Sequence, residues 1–373
     1  MFFTSKTYER RIEKLRSQMA EMELDALLVS IEENRRYLSG FKGEDTQFDE
    51  SAGILLVCKD ALFLLTDSRF EEQARNEASS FETRIYHSGM PKTLAEIIKE
   101  KKLVRIGFES LRMSVKQFND LKSATDELNV ILSPCENMVE NLRIIKDDEE
   151  ISLMRDALHI SESVFKALLP QIIPGVTEKQ MAWELEKNLR HAGAEAMSFP
   201  VIAASGPNAS LPHAIPSDRK LNTNEGFLFD WGIKLHGYCS DITRTIFIGN
   251  PPDEFKKVFI TVFEAQQKAQ SAIKAGVNGK DIDRIARDHI ESSDYKGRFG
   301  HSLGHGVGLA IHESPRLSPI KDFILETGMV VTVEPGIYIP GWGGVRLENM
   351  VVVKPDGFEI LNSTSSLDFA HWL

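Results

Sequence analysis

The sequence predicts a two-domain α/β protein. A compact α/β domain is expected over residues 1–132, and a second, α+β domain over 133–373 with helices laid against a mostly antiparallel sheet. Three observations carry this. At 373 residues the chain has room for two domains of about 100–200 residues each. Its first third alternates between helical and strand-like periodicity. Beyond Ser133-Pro134, three long helical segments give way to strand-like runs.

Residues 8–23 carry Ile12, Leu15, Met19 and Met22 at helical spacing. Residues 24–31, 53–57 and 61–65 are short apolar runs bounded by charge or turn residues, hence strands. A further strand is expected over 104–108 and a helix over 114–124. Ser133-Pro134 breaks the pattern, so the first domain ends near Leu132, and 139–143 lead into the charge run Lys146-Asp-Asp-Glu-Glu150. Acidic residues favour a helix N-terminus, and Ile151, Met154, Ala157 and Leu158 mark the apolar face of the helix this run opens. Helices follow over 177–191 and 255–275, and strands over 227–233, 238–248, 330–333 and 345–353.

Composition excludes several classes of function. Hydrophobic content of 42% and charged content of 27% describe an ordinary globular chain. A formal charge of −11 argues against chain-wide attraction to nucleic acid or anionic lipid. Cys58, Cys135 and Cys239 are odd in number, far apart and without a Cys-x-x-Cys pattern. They suit neither a disulfide framework nor a thiolate zinc site, and fit a reducing cytoplasm. Charged residues follow Met1-Phe2-Phe3 at once, leaving no apolar core for a signal peptide. The charge-free run 196–217 has the length of a membrane span. It also holds Pro200, Gly206, Pro207, Pro212 and Pro216, which would break a lipid-exposed helix, so a loop is expected.

The chemistry concentrates in residues 227–348. Asp230 and Asp241 interrupt two apolar strands joined by a turn over 234–237. With the turn centred between Leu235 and His236 the two aspartates face each other, their Cβ atoms about 4.5–5.5 Å apart. Opposed carboxylates in an apolar hairpin need a shared proton, a basic side chain or a metal ion between them. A second pair repeats the pattern, Glu334 in Val330-Val-Thr-Val-Glu-Pro-Gly and Glu348 in Val345-Arg346-Leu-Glu-Asn349. One proton cannot neutralise four buried carboxylates. His301, His305 and His312 lie in a glycine-rich run where backbone can approach a ligand closely, and His213 lies in the charge-free loop. Four carboxylates with at least one imidazole suit two divalent cations, which can activate a hydroxide and polarise a carbonyl or phosphoryl oxygen.

With these residues assembled, the chain resembles the pita-bread metallopeptidases: prolidase, aminopeptidase P, methionine aminopeptidase and the metal-free creatinases. The stretch Glu33-Asn-Arg-Arg-Tyr-Leu-Ser-Gly-Phe41 resembles the creatinase/prolidase N-terminal domain, which methionine aminopeptidases lack. The resemblance implies a creatinase-like N-terminal domain followed by a pita-bread catalytic domain. It makes Asp230, Asp241, His305, Glu334 and Glu348 the ligands of two divalent ions (Mn, Co, Zn or Fe), with Asp241 and Glu348 bridging. Creatinases have lost such ligands. It implies hydrolysis of the bond before proline in Xaa-Pro dipeptides or short Xaa-Pro-Yaa peptides. A hydroxide held between the metals attacks, Glu334 handles its proton, and His213 and His312 steady the oxyanion. His301 becomes an outer member of the pocket. Arg346 and Thr243, each two residues along a strand from a ligand, are expected to brace ligand carboxylates. A homodimer is implied as well. Asn349 departs from the acidic residue many relatives carry after the second metal glutamate, which leaves the five ligands intact.

Two other classes compete. Gly300-His-Ser302-Leu-Gly304 is a literal Gly-x-Ser-x-Gly, and Asp322 or Asp356 with His371 would complete a serine-esterase order. The strand before it and the helix after it, which a nucleophile elbow requires, are missing from the pattern. A non-enzymatic binding protein on the same fold is the other alternative.

Overall fold

The computed structural model describes residues 3–45, 47 and 50–370, and the chain divides into two units, Met1–Arg143 and Ile144–Leu373. Among the described residues no helix is long and apolar enough to cross a membrane.

In the first unit α1 (Ser5–Glu21) buries Ile12, Leu15 and Met19 as expected, together with Tyr8, whereas Met22 lies just past its end and is exposed. Then come β1 (Ala26–Val29), α2 (Glu32–Ser39), β2 (Ile54–Cys58), β3 (Leu62–Thr66), α3 (Glu71–Glu77), β4 (Glu82–Ile85), α4 (Met90–Lys101), β5 (Arg105–Glu109), α5 (Val115–Thr125), β6 (Ile131–Cys135) and α6 (Met138–Arg143). The strands form one mixed sheet in the order β4-β3-β2-β1-β5-β6. Leu28, Leu56, Phe63, Leu65 and Ile106 pack with Leu94, Ile97 and Leu121 into its core.

The unit ends at Arg143, later than the sequence suggests, because Ser133 and Pro134 lie inside β6 and pair in parallel with Gly107 and Phe108. β6 is an edge strand, where proline's missing N–H costs no ladder bond.

The second unit opens with α7 (Asp148–Leu168), whose N-terminus Asp147 and Glu150 close as a reciprocal capping box. The unit continues through α8 (Glu178–His191), β7 (Ala196–Met197), β8 (Ile202–Ser205), β9 (Glu225–Trp231), β10 (Ile233–Leu235), β11 (Tyr238–Cys239), β12 (Ile242–Ile248), α9 (Asp253–Ser271) and α10 (Gly279–Glu291). Beyond these lie β13 (Gly304–Gly306), β14 (Glu313–Leu317), β15 (Val330–Val333), β16 (Gly336–Ile339), β17 (Gly343–Arg346), β18 (Asn349–Lys354) and β19 (Gly357–Ile360).

Every strand pair in this unit is antiparallel. The sheets run β11-β10-β7, β12-β9-β8, β14-β13-β15-β18-β19 and β16-β17. Helices α9 and α10 bury Val258, Phe259, Val262, Ile282, Ala286 and Ile290 against Val331, Val333, Val351 and Val353. The charge-free run is not all loop. Val201-Ile-Ala-Ala, between Pro200 and Gly206, is apolar enough to form the buried strand β8 on the edge of β9.

Candidate active site

Asp230 and Asp241 do not face each other. Asp230 pairs with Thr243, a register two residues away from the expected one. The turn is centred one residue later, between His236 and Gly237, both at positive φ (49° and 87°), the two-residue mirror-image turn that suits a twisted hairpin. The sequence does not signal it, because positive φ is uncommon at any non-glycine residue. A two-residue shift keeps side chains on the same face of the ribbon, and both aspartates line one cavity. Asp241 lies in a break between β11 and β12. There Gly232 lets the chain close in: a Cβ on it would lie 1.9 Å from the Ser240 carbonyl oxygen.

Glu334 and Glu348 occupy the positions directly beyond Val333↔Asn349, the last pair of the β15–β18 ladder. Glu348 is bound to the aspartate hairpin: its N–H donates to the Thr243 carbonyl (3.1 Å), and Thr243 Oγ1 donates to its Oε2 (2.7 Å). Thr243 therefore braces Glu348 across the two hairpins instead of the neighbouring Asp241. His305 sits in β13, where Gly304 permits close approach; a Cβ on it would meet the Thr332 carbonyl oxygen at 1.9 Å. Thr332 Oγ1 accepts from His305 N–H (3.0 Å) and donates to Glu334 Oε1 (3.1 Å). His305 Nε2 lies 3.5 Å from Asp241 Oδ2 and 3.4 Å from Glu334 Oε1. One ligand atom each from Asp241, His305 and Glu348 fall within 4.8 Å of one another.

Arg346 braces Asp230, as its place two residues before Glu348 suggests: Nη2 donates to Asp230 Oδ2 at 2.6 Å. Its other donors reach Tyr338 Oη (2.7 Å), Thr243 Oγ1 (3.1 Å) and the Pro212 carbonyl (3.1 Å). His213, His301, His305 and His312 all line the same cavity of about 500 Å³. His312 meets the His305 ring edge-on with centroids 4.4 Å apart. His301 is held against the buried Tyr338, its Nε2 2.9 Å from Tyr338 Oη and its Nδ1 2.8 Å from its neighbour's carbonyl.

Tyr338, Thr332 and Arg316, which also contribute to this site, gave no recognisable sequence signal beyond Arg316 falling four residues after His312. Asn349 Oδ1 accepts from the fully buried Arg244 at 3.2 Å. Ser302 is followed by β13 and not by a helix, so no nucleophile elbow forms; His371 lies outside the described residues.

The site is short of positive charge. Burial, reinforced by the neighbouring carboxylates, pushes Asp241 and Glu348 well above the usual carboxylate range. Burial also raises Glu334 to about 8, with Arg346 opposing and Asp230 adding to the shift. His305 is pushed down to about 3 by burial and by His312, so it is neutral at pH 7 and its contacts with the carboxylates are not ion pairs. His312, on the open side, is lowered by partial burial and by Arg316. Arg346 stays firmly charged: burial opposes its charge, and Tyr338, Asp230 and Glu334 outweigh burial. Asp230 Oδ1 is buried with no hydrogen-bond partner among the described residues. Four carboxylates on a cavity with two guanidinium groups, Arg346 and Arg316, one orphaned oxygen and a neutral imidazole form a donor set that fits divalent cations.

Comparison with known proteins agrees. Residues 152–355 match metallopeptidase family M24, and residues 11–145 match the creatinase/prolidase N-terminal domain. An Xaa-Pro dipeptidase of Pyrococcus furiosus is 34% identical over 95% of this chain and 98% of its own length. The solved structure of an Xaa-Pro dipeptidase from Bacillus anthracis superposes with a TM-score of 0.89 at 39% identity, covering 96% of this chain and 98% of that one. An X-Pro aminopeptidase from Thermotoga maritima gives 0.88 at 38% identity, over 95% and 98%. These matches run through both units and take in the whole carboxylate and histidine cluster: the chain belongs to metallopeptidase family M24, with a creatinase-like N-terminal domain before a pita-bread catalytic domain.

Proposed function

We propose that the protein is an Xaa-Pro peptidase working with two divalent metal ions, and that dipeptides ending in proline are its preferred substrates. The observation that supports this most is the grouping of Asp241, His305 and Glu348 within 4.8 Å of one another, with Glu334 Oε1 3.4 Å from His305 Nε2 and Asp230 on the same cavity. Asp230, Asp241, His305, Glu334 and Glu348 would hold the two ions. When bound, such ions supply Lewis acidity that activates water and polarises a carbonyl.

The chain's own residues do the rest. Glu334, its Oε1 engaged by Thr332, takes the proton from the attacking water on Oε2 and passes it to the departing proline nitrogen. His312, kept neutral, can donate an N–H to the developing oxyanion, with His213 beside it on the open wall. Proline's imide, without an N–H and with φ fixed, leaves a rigid ring to be seated. Phe199, Val201, Ile202 and Ile215 offer an apolar wall for it and for the first side chain. Three free, buried cysteines suit the reducing cytoplasm, and a homodimer and a manganese preference belong to the same proposal.

Chelator-treated protein should lose all cleavage of Xaa-Pro, and Mn, Co, Zn or Fe added back should restore it. A folded protein that binds metal and cleaves no such peptide would instead establish a binding function.

Arg316, on the same cavity wall, is the reason for naming dipeptides. Its charge suits a free proline carboxylate, a charged hydrogen bond contributing about 1.5–3 kcal/mol. Arg316→Ala should therefore lower kcat/KM for Xaa-Pro by about 10- to 100-fold while affecting Xaa-Pro-amide little. Equal losses on both substrates would refute the assignment.

A further inference from the structure

We infer that Glu178 is a positioning residue for this reaction, its carboxylate tying both ends of the loop that carries His213; the inference rests on the Xaa-Pro peptidase reading above. Glu178 is the first residue of α8 and is 0% exposed. A carboxylate there ordinarily serves its own helix end. That duty belongs to Thr177, whose hydroxyl accepts from Gln180 N–H, so Glu178 is left to face the loop.

Its Oε1 accepts from Ser205 N–H (2.7 Å) and Ser205 Oγ (2.9 Å) at the end of β8. Its Oε2 accepts from Asn208 Nδ2 (3.0 Å), Ser217 N–H (3.1 Å) and Ser217 Oγ (2.6 Å). One buried carboxylate thus gathers donors from where the chain leaves the sheet and from where it returns. Between them, residues 206–216 hold only the short 3-10 turn Gly206–Ser210, and Leu211, His213 and Ile215 are exposed.

The middle of the loop has its own fastening. Arg346 donates to the Pro212 carbonyl, and β17 passes so close that a Cβ on Gly344 would lie 2.1 Å from the Ala209 carbonyl oxygen. Glu178 closes the base of the loop and Arg346 holds its waist, leaving His213 to reach the cavity. A catalytic imidazole on an exposed loop keeps its place only if the loop is fixed in this way, and a displacement of about 1 Å costs on the order of 10²-fold in rate.

Glu178→Gln tests this. Whichever way the amide turns, its NH2 meets donors, at Ser205 or at Asn208 and Ser217, and one end of the loop is released. The variant should stay folded with its metal bound, melting somewhat below the wild type, while kcat falls about 10- to 100-fold with little change in KM. In a His213→Ala background the same change should cost less than about 3-fold, because the two act as a unit. Subtilisin should also cut residues 206–216 faster in Glu178→Gln than in the wild type, a readout that needs no substrate.

Equal losses in both backgrounds, unchanged activity or unchanged loop cleavage would overturn the inference. If Glu178→Gln does not fold, Ser217→Ala removes the 2.6 Å bond, together with the bonds Ser217 Oγ accepts from Asn208 Nδ2 and Arg219 N–H (both 3.1 Å), and carries the same cycle. A wild type that cleaves no Xaa-Pro peptide sinks the functional reading, and the subtilisin arm still decides this one.

Discussion

Asp241→Asn should lower kcat/KM by about 10³-fold or more, roughly 4 kcal/mol of transition-state stabilisation, and should strip the protein of bound metal. The substitution preserves size and removes one charge from a side chain that is only 4% exposed, with its Oδ2 3.5 Å from His305 Nε2. The chelated form should respond in the opposite sense. Asp241 is held well above the usual carboxylate range by burial and by Glu348, Asp230 and Glu334, so neutralising it relieves repulsion when no cation is bound. Chelated Asp241→Asn should therefore melt at or above the temperature of chelated wild type, while metal raises the midpoint of the wild type alone. Elemental analysis, steady-state kinetics and calorimetry read the three effects. Wild-type activity with wild-type metal content in the variant would remove Asp241 from the ligand set.

The second large effect is a pH-dependent response to metal. Glu334 has a folded pKa of about 8, above its ordinary 4.5. A carboxylate raised in the fold contributes stability that is fully present below the unfolded value and is lost as pH rises through the folded one. Chelated protein should thus lose up to about 1.4 kcal/mol per pH unit from this group between pH 4.5 and 8. Asp241 and Glu348 act in the same direction.

His305 acts the other way. Its folded value of about 3 lies below the ordinary 6.5, so its contribution is present above 6.5 and is lost as pH falls toward 3. Three carboxylates outweigh one imidazole. Cations bind the ionised carboxylates and the neutral imidazole and stabilise by mass action. The metal-induced rise in melting temperature should therefore be larger at pH 8 than at pH 5, read by calorimetry with and without chelator. An equal rise at both would show that the metal binds elsewhere.

Much of this site is legible before any coordinates, because a carboxylate interrupting an apolar strand violates the pattern around it and asks for a reason. Asp230, Asp241, Glu334 and Glu348 announce themselves in that way, and Asp147 with Glu150 marks the start of α7 as plainly. Register is less visible. It turns on His236 accepting a positive φ, which no hydrophobic pattern encodes. Tyr338, Thr332 and Arg316 are ordinary strand residues whose importance comes from what lies opposite them, and opposition is set by pairings far apart in sequence. Pro134 misleads for a related reason: proline forbids a central strand, and only the finished sheet shows that β6 is an edge.

Bonds to Thr243 tie Glu348 to the aspartate hairpin, and Thr332 links His305 to Glu334. Each hairpin can close by local zipping, but the proposed ligand set spans residues 230 to 348 and comes together only once all three strand pairs have docked. Such non-local assembly is the slow part of folding. On the proposed ligand set, a nascent or partly unfolded chain would offer a divalent ion isolated carboxylates and no chelate, and metal occupancy would report the integrity of the whole second unit.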